Sequence, residues 1–411
     1  MGSYSRAAME WAMKVQEIIL RAIAKKITWI QAAQIIGISA RQMRRWLRRY
    51  EENGYDGLFD RRLGKPSPKR VALETVEKVL ELYRETYFDL NVKHFHEKLS
   101  EDHKIELSYT WVKMLLQGAG EVKRSRKRGT HRKRRQRRVM IGMMLHIDGS
   151  KHRWFTDGRW HDLIVIMDDA TSEIYYAQLV EEESTETVLA GLREVVERKG
   201  GFCSLYSDRA SHFFVTPKAG EPVDKDRLTQ VGRALKELGI EAIPAYSPQA
   251  RGRSERGFGT WQGRLPQELR LAGITVVEEA NRFLREKYID EFNRKFSVKA
   301  TQPGSAFVSV KGKNLDLIFS IQHPRVVARD NTVSLANQSL QIEKSKWRGS
   351  LAGCRVIVYE LQNRTLAIGY GSHIVGRYNP EGLSLEPEKQ MRRSSNKKTR
   401  STKLAARIGT L

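Results

Sequence analysis

"MMLHIDGS" (143–150) decides how the middle of the chain is read. Before it lies a basic run with no apolar period; from it onward the apolar residues alternate or cluster as they do in strands. "HDLIVIMDDA" (161–170) and "SEIYYAQLV" (172–180) are two further strand patterns, and the short "DDATSE" turn joins them as a hairpin. Asp168 and Asp169 fall in that turn and read as turn formers rather than site acids. "STETVLAGLREVVERKG" (184–200) reads as a helix opened by Ser184 and closed by Gly200. "CSLYSD" (203–208) is a short buried strand pattern, 224–239 a helix, "IEAIPA" (240–245) a strand, and a helix begins near Pro248–Ser254. Three strands followed by alternating helices and strands predict a mixed α/β domain with one central sheet over 141–310. The helical pattern continues over 274–308.

Toward the N-terminus, "TWIQAAQIIGISARQMRRWLRRYEENG" (28–54) reads as two helices around Gly37. Thr28 with Gln31, and Ser39 with Gln42, have capping-box spacing. In the second helix Met43, Trp46, Leu47 and Tyr50 form one apolar stripe, while Arg41, Gln42, Arg44, Arg45, Arg48 and Arg49 cover the other faces. This is the pattern of a helix-turn-helix whose second helix enters the major groove of DNA, here as a domain over 1–63. A soluble helical hairpin with a basic face would show the same stripe. "LGKPSPKR" (63–70) ends the module, and 64–120 gives three more helical patterns, a second domain expected to bind DNA. His94, His96 and His103 in that region have no cysteine partners, so they read as surface or capping residues rather than zinc ligands.

The net charge of +25 fits a polyanionic partner. Eleven Lys and Arg with no acid fall in "KRSRKRGTHRKRRQRR" (123–138), and eight more with no acid fall in 389–407. The linker over 121–140 has no apolar period and cannot fold alone. Lys123, Arg124, Arg126, Lys127, Arg128, Arg132, Lys133, Arg134 and Arg135 are its candidate phosphate contacts. Short strand patterns with Asn, Asp and Gly turns over 323–380 predict a small β-barrel, followed by a basic disordered tail over 381–411. Cys203 and Cys354 each lie in an apolar stretch and read as buried thiols in a reducing compartment. The sequence has no apolar run of about 18 residues and no signal peptide, so no membrane partner is expected. A soluble intracellular protein is the expected setting.

Three acids stand at strand or helix ends. Asp148 lies near the end of the first strand, Asp208 ends the buried strand after the first helix, and Glu255 opens a later helix in "AYSPQARGRSERGFGTW" (245–261). Carboxylates converging there can hold two Mg²⁺, a cation that takes oxygen ligands, and two such ions can clamp both oxygens of an in-line displacement at phosphorus. Taken singly, Asp148 is also compatible with a turn, Asp208 with a salt bridge or cap, and Glu255 with an ion pair to Arg251. Arg251, Arg253 and Arg256 around Glu255 are candidate contacts to DNA phosphate. Arg209 and His212 lie beside Asp208 and are weaker candidates for the scissile phosphate. Trp154, Trp160 and Trp261 read as core residues rather than base-stacking platforms.

The blocks "LHIDGSKHRWF", "DLIVIMDDATSEIYYAQL", "LYSDRASHF" and "AYSPQARGRSERGFGTWQGRLPQEL" resemble the catalytic core of DDE transposases of the retroviral-integrase superfamily. They are most similar to bacterial insertion-sequence transposases of the ISNCY grouping. The likeness covers roughly 10–310, and a C-terminal barrel also fits it. It implies an RNase H-like fold with Asp148, Asp208 and Glu255 as ligands of two Mg²⁺, for which Mn²⁺ can substitute. It also implies cleavage at transposon ends by water, strand transfer of the freed 3′-OH into target DNA, and a dimer or higher homo-oligomer holding the ends. The setting it implies is the bacterial cytoplasm, with the chain held at the nucleoid through DNA. Forty-six residues separate Asp208 from Glu255, longer than the commonest spacing, and "VTPKAGEPVDKD" (215–226) accounts for the excess. Glu237 and Glu241 lie closer to that spacing but lack the loop and basic helix. Helix-turn-helix units stand where viral integrases carry a His/Cys zinc module. The rival from another class is a sequence-specific DNA-binding regulator with an idle RNase H-like domain. An RNase H acting on RNA–DNA hybrids would leave the helix-turn-helix without a purpose.

Overall fold

A computed structural model describes residues 5–60, 70–124, 136–216, 222–224, 226–246, 252–344 and 348–385, without the side chains of 253–255. The chain divides into two compact units, Met1–Phe88 and Asp89–Leu411.

The first unit contains α1 (Arg6–Ile23), α2 (Trp29–Ile36), α3 (Ala40–Asn53), a 3-10 turn at Gly54–Leu58, and α4 (Leu73–Glu85). Thr28 and Gln31 close a reciprocal capping box at the start of α2. Gly37 ends that helix at φ +79°, a left-handed conformation that favours glycine. Ser39 then accepts from the Gln42 amide and starts α3. Met43 is fully buried against Ala12, Val15, Ile19 and Ala33, and the Trp46 ring meets Trp11 edge-on at 4.9 Å. The turn after α3 passes so close that a Cβ on Gly57 would lie 2.1 Å from the Arg49 carbonyl oxygen. We predict that Gly57→Ala costs this unit about 1–3 kcal/mol, because backbone rather than a pliable side chain must move. The denaturant midpoint reads this, and an unchanged midpoint would refute the close approach.

The second unit begins with α5 (Val92–Glu101) and α6 (Tyr109–Gly118). Strands β1 (Leu145–His152), β2 (His161–Asp168) and β3 (Ile174–Val180) follow, then α7 (Thr185–Lys199), β4 (Ser204–Ser207), α8 (Gln230–Leu238), β5 (Glu241–Pro244) and α9 (Gly252–Gln262). Among the described residues these five strands form one sheet, in the order β3-β2-β1-β4-β5. β1–β2–β3 are antiparallel, and β4 and β5 run parallel to β1. One face of the sheet packs on α7 and α8 through Leu145, Ile147, Val188, Leu192, Val231 and Leu235. The other packs on α9, on α10 (Leu265–Leu271), on α11 (Val277–Phe283) and on α12 (Ile289–Phe296), through Val165, Phe258, Trp261, Leu284 and Phe292. Asn281 and Asn293 each donate to and accept from β3 backbone, at 2.7–2.9 Å, and so satisfy the sheet's edge strand.

Helix α8 is shorter than the predicted 224–239, because Thr229 caps it. The helical run expected over 274–308 ends at Phe296, with a π turn at Leu284–Tyr288. Beyond it the chain is a strap whose amides at Val298, Gln302, Ala306 and Val308 bond the Thr171, Val139, Ile141 and Gly201 carbonyls. After α13 (Leu315–Ile318) come β6 (Ile321–Val326), β7 (Thr332–Leu335), β8 (Gln338–Gln341), β9 (Arg355–Glu360), β10 (Leu366–Tyr370) and β11 (His373–Tyr378). The described strands form a four-stranded sheet, β11-β10-β9-β6, and a β7–β8 ribbon over a shared apolar core. Cys203 is exposed rather than buried, standing just before the buried residues of β4, and Cys354 is half-buried.

Candidate active site and nucleic-acid interface

The β1–β4 register places the first two acids. Leu145 pairs with Leu205 and His146 with Tyr206, in parallel. Asp148 lies two residues beyond His146 on β1, and Asp208 two residues beyond Tyr206, one past the end of β4. Residue alternation puts both on the face of His146 and Tyr206, whose rings meet at 5.1 Å. Asp148 is only 7% exposed. It lines a small cavity with His146, Val165, Met167, Gly257, Phe258 and Trp261. A Cβ on Gly257 would meet nothing within 4 Å, so α9 leaves open space on that side. Asp208 lies just past the end of β4, and its Oδ1 accepts from the Ala210 amide at 3.0 Å. Glu255 is in the first turn of α9, with its side chain outside the described residues.

Three supports were not legible as such in the sequence. His146 Nε2 lies 2.6 Å from Asp169 Oδ1, both fully buried, so this histidine is already engaged beneath the acids. Asp169 also accepts from the Arg138 amide, and Asp168 from the Gly142 amide and from Thr171. The two acids of the turn therefore hold the chain entering β1 as well as their own hairpin; the strict alternation of "LHID" is the signal that could have paired His146 with a neighbouring strand. His212 Nε2 bonds Glu183 Oε1 at 3.0 Å. Gly149 is needed there, since a Cβ would lie 2.1 Å from Glu183 Oε2. Arg209 lies over the Tyr246 ring at 5.2 Å, at the same strand end as Asp208.

Both N-terminal regions match known families. The Helix-turn-helix domain family matches residues 16–67 and the Homeodomain-like domain family matches 42–116. "Putative transposase y4bF" of Sinorhizobium fredii is 30% identical over 360 residues, 87% of this chain and 78% of that protein. The chain belongs to the insertion-sequence transposases. The transposase for insertion sequence IS1202 of Streptococcus pneumoniae is 28% identical over 318 residues, 69% of this chain and 68% of its own. A chain of a pre-cleavage Mos1 transpososome is similar over 69% of this one, at 16% identity and a TM-score of 0.28, too remote to bear on the site.

In the transposase, Arg41, Gln42, Arg44, Arg45 and Arg48 are all exposed on α3. Lys123 and Arg124 are exposed as well, whereas Arg126, Lys127, Arg128, Arg132, Lys133, Arg134, Arg135 and Arg251 lie outside the described residues, as does the side chain of Arg253. Arg256 is exposed, and its Nε donates to the Gly252 carbonyl. The last two cations of the linker are structural. Arg137 bonds the Asp169 carbonyl at 3.0 Å and Ser172 Oγ at 2.8 Å, and Arg138 joins the same turn.

Helix α5 is latched to α10 by His94 and Lys98, which both bond Glu268. His94, expected at the surface, is 2% exposed, with Nε2 2.6 Å from Glu268 Oε1. Lys98 reaches Glu268 at 3.0 Å, and Arg270 holds Asp89 in two bonds of 2.7 and 2.9 Å. Burial pushes the Glu268 carboxyl up, but the His94 bond and the Lys98 charge outweigh it and hold it at about 2. A carboxyl depressed from 4.5 to about 2 adds stability above pH 4.5, and that stability is lost as pH falls from 4.5 toward 2. In that window Glu268→Gln should flatten the pH dependence of unfolding. Parallel wild-type and variant curves would remove the ion pair from the latch.

Proposed function

We propose that this transposase cuts DNA at the ends of its element and joins the freed ends to target DNA, using Asp148, Asp208 and Glu255 as one acidic site. The observation that carries this reading is the parallel pairing of β1 with β4, two residues short of Asp148 on one strand and of Asp208 after the other, with α9, which bears Glu255, packed beside Asp148. Position 255 lies three residues before Phe258 and seven before Gln262, the spacing of one helix face, and Gln262 bonds Ser150 of β1 at 3.0 Å. The donor set fits Mg²⁺ or Mn²⁺: hard carboxylate oxygens, no thiolate, and His146 already taken by Asp169. Two such ions, when bound, would stabilise charge on the attacking and leaving oxygens of a phosphodiester.

Asp148 and Asp208 would supply the negative charge that draws cations into a strongly basic chain, and a Cβ on Gly257, in the small cavity beside Asp148, would meet nothing within 4 Å. In cutting, a water oxygen bonds phosphorus as the P–O3′ bond breaks, leaving a 3′-OH on one side and a 5′-phosphate on the other. In joining, that 3′-OH bonds a target phosphorus as the target's own P–O3′ bond breaks. Bonds formed equal bonds broken, so no ATP is needed. The exposed cations of α3 suit recognition of the end sequence, and the basic linker suits the phosphate backbone. Holding two ends calls for at least two copies of the chain. The test is a strand-transfer assay on DNA carrying the element's own ends, with Mg²⁺ and with chelator. Product formed equally in chelator would overturn the reading.

A further inference from the structure

The loop between β1 and β2 carries an aromatic side chain that the core does not use. Trp154 is fully buried and donates Nε1–H to the His161 carbonyl at 3.0 Å, and Phe155 packs edge-on against the His161 ring at 5.2 Å. Those anchors fix the loop, and Gly158 at φ +76° turns it. Trp160 then stands at 51% exposure with the Arg153 guanidinium over its ring at 5.1 Å. Contrary to the sequence-based expectation, it is not a core residue. Lys151, Arg153 and Arg159 are exposed around it, against one loop acid, Asp157, which Arg159 bonds at 2.7 Å. Glu181, at the end of the neighbouring strand, is exposed too and lies 3.5 Å from His161.

Its location ties this tip to the acids. β1, β4 and β5 point the same way, and Asp208 sits where β4 stops. β1 runs on for four residues past Asp148 before the loop begins, about 13 Å at the usual strand rise. That length is about four base steps of a DNA strand, so DNA that runs from the acids along β1 would reach this tip. A fixed, exposed indole under a guanidinium offers a flat face to a base, and bases inside an intact duplex already stack on their neighbours, so the face fits an unpaired one.

We propose that Trp160 and Arg153 form a stacking platform for an unpaired nucleotide of the DNA beside the cut. The proposal rests on the reading of Asp148 and Asp208 as the cutting site, which brings DNA to this end of the sheet. The test uses the full-length protein without metal and a short oligothymidylate carrying one 5-iododeoxyuridine. Ultraviolet cross-linking followed by peptide mass spectrometry should place the adduct on Trp160. Trp160→Ala should remove that adduct and weaken oligothymidylate binding about tenfold, Trp160→Phe should keep most of the affinity, and binding of a blunt duplex should not change. Cross-links confined to peptides outside 151–161, or equal oligothymidylate affinity for Trp160→Ala and wild type, would overturn the platform. Neither readout requires cutting, so failure here is distinct from failure of the acid assignment.

Discussion

Asp148→Asn should lower strand transfer at least about a thousandfold while binding of the element's end DNA stays within about twofold. The exchange keeps side-chain size at a site that tolerates little change, since Asp148 is 7% exposed and packed among His146, Val165, Phe258 and Trp261. What it removes is charge. A neutral amide gives a divalent cation far less than a carboxylate does, and cation-assisted charge stabilisation is worth several kcal/mol, each 1.4 kcal/mol being about tenfold in rate. Binding should survive because the exposed cations of α3 belong to a unit with its own core. Asp208→Asn should behave alike, because Asp208 follows the strand that pairs in parallel with β1. An Asp148→Asn protein within tenfold of wild type, at unchanged fold stability, would take this residue out of the chemistry. Equal loss of binding and transfer would instead mean that the exchange had damaged the fold.

The strands and helices were legible because their signals are local. Alternation around Ile147 and Ile164, the Ser184 cap and the Gly37 turn each act within a few residues. What sequence could not show was pairing between distant segments. His94 looked like a surface histidine because its partner, Glu268, lies 174 residues away. Asp169 looked like a turn former because the His146 ring that it holds is on another strand. Trp160 and Trp154 share one loop and nearly one composition, and only the direction of the chain buries one and exposes the other. The third acid is the reverse case: Glu255 is chosen by its motif against the commonest spacing, and it falls in the first turn of α9.

The second large effect is expected at Arg264, where α10 meets α5. Its Nη1 and Nη2 bond the two Glu97 oxygens at 2.7 and 3.2 Å, the side chain is 8% exposed, and the guanidinium lies 4.9 Å from the Phe296 ring centre. Burial pushes the Glu97 carboxyl up, but the Arg264 bond and charge, with help from Lys295 and Lys93, leave it below the ordinary range. Arg264→Met keeps most of the apolar stem over Phe296 and strands the carboxylate. Breaking a buried pair from one side costs about 3–5 kcal/mol, because the remaining charge is left without its partner. Lys295, 3.4 Å from Glu97, should hold the loss near the lower end. Exchanging both partners, Arg264→Met with Glu97→Gln, removes the stranded charge and should recover a good part of it. The exposed Arg6–Glu10 pair is the control: with side chains 91% and 60% exposed, its removal should cost no more than about 1 kcal/mol. Denaturant unfolding of the four proteins distinguishes the cases. If Arg264→Met unfolds at the wild-type midpoint, the Arg264–Glu97 pair adds nothing net and α5 is held by its other contacts, the Glu268 latch among them. If the double variant is no better than the single, the guanidinium matters for packing rather than for charge.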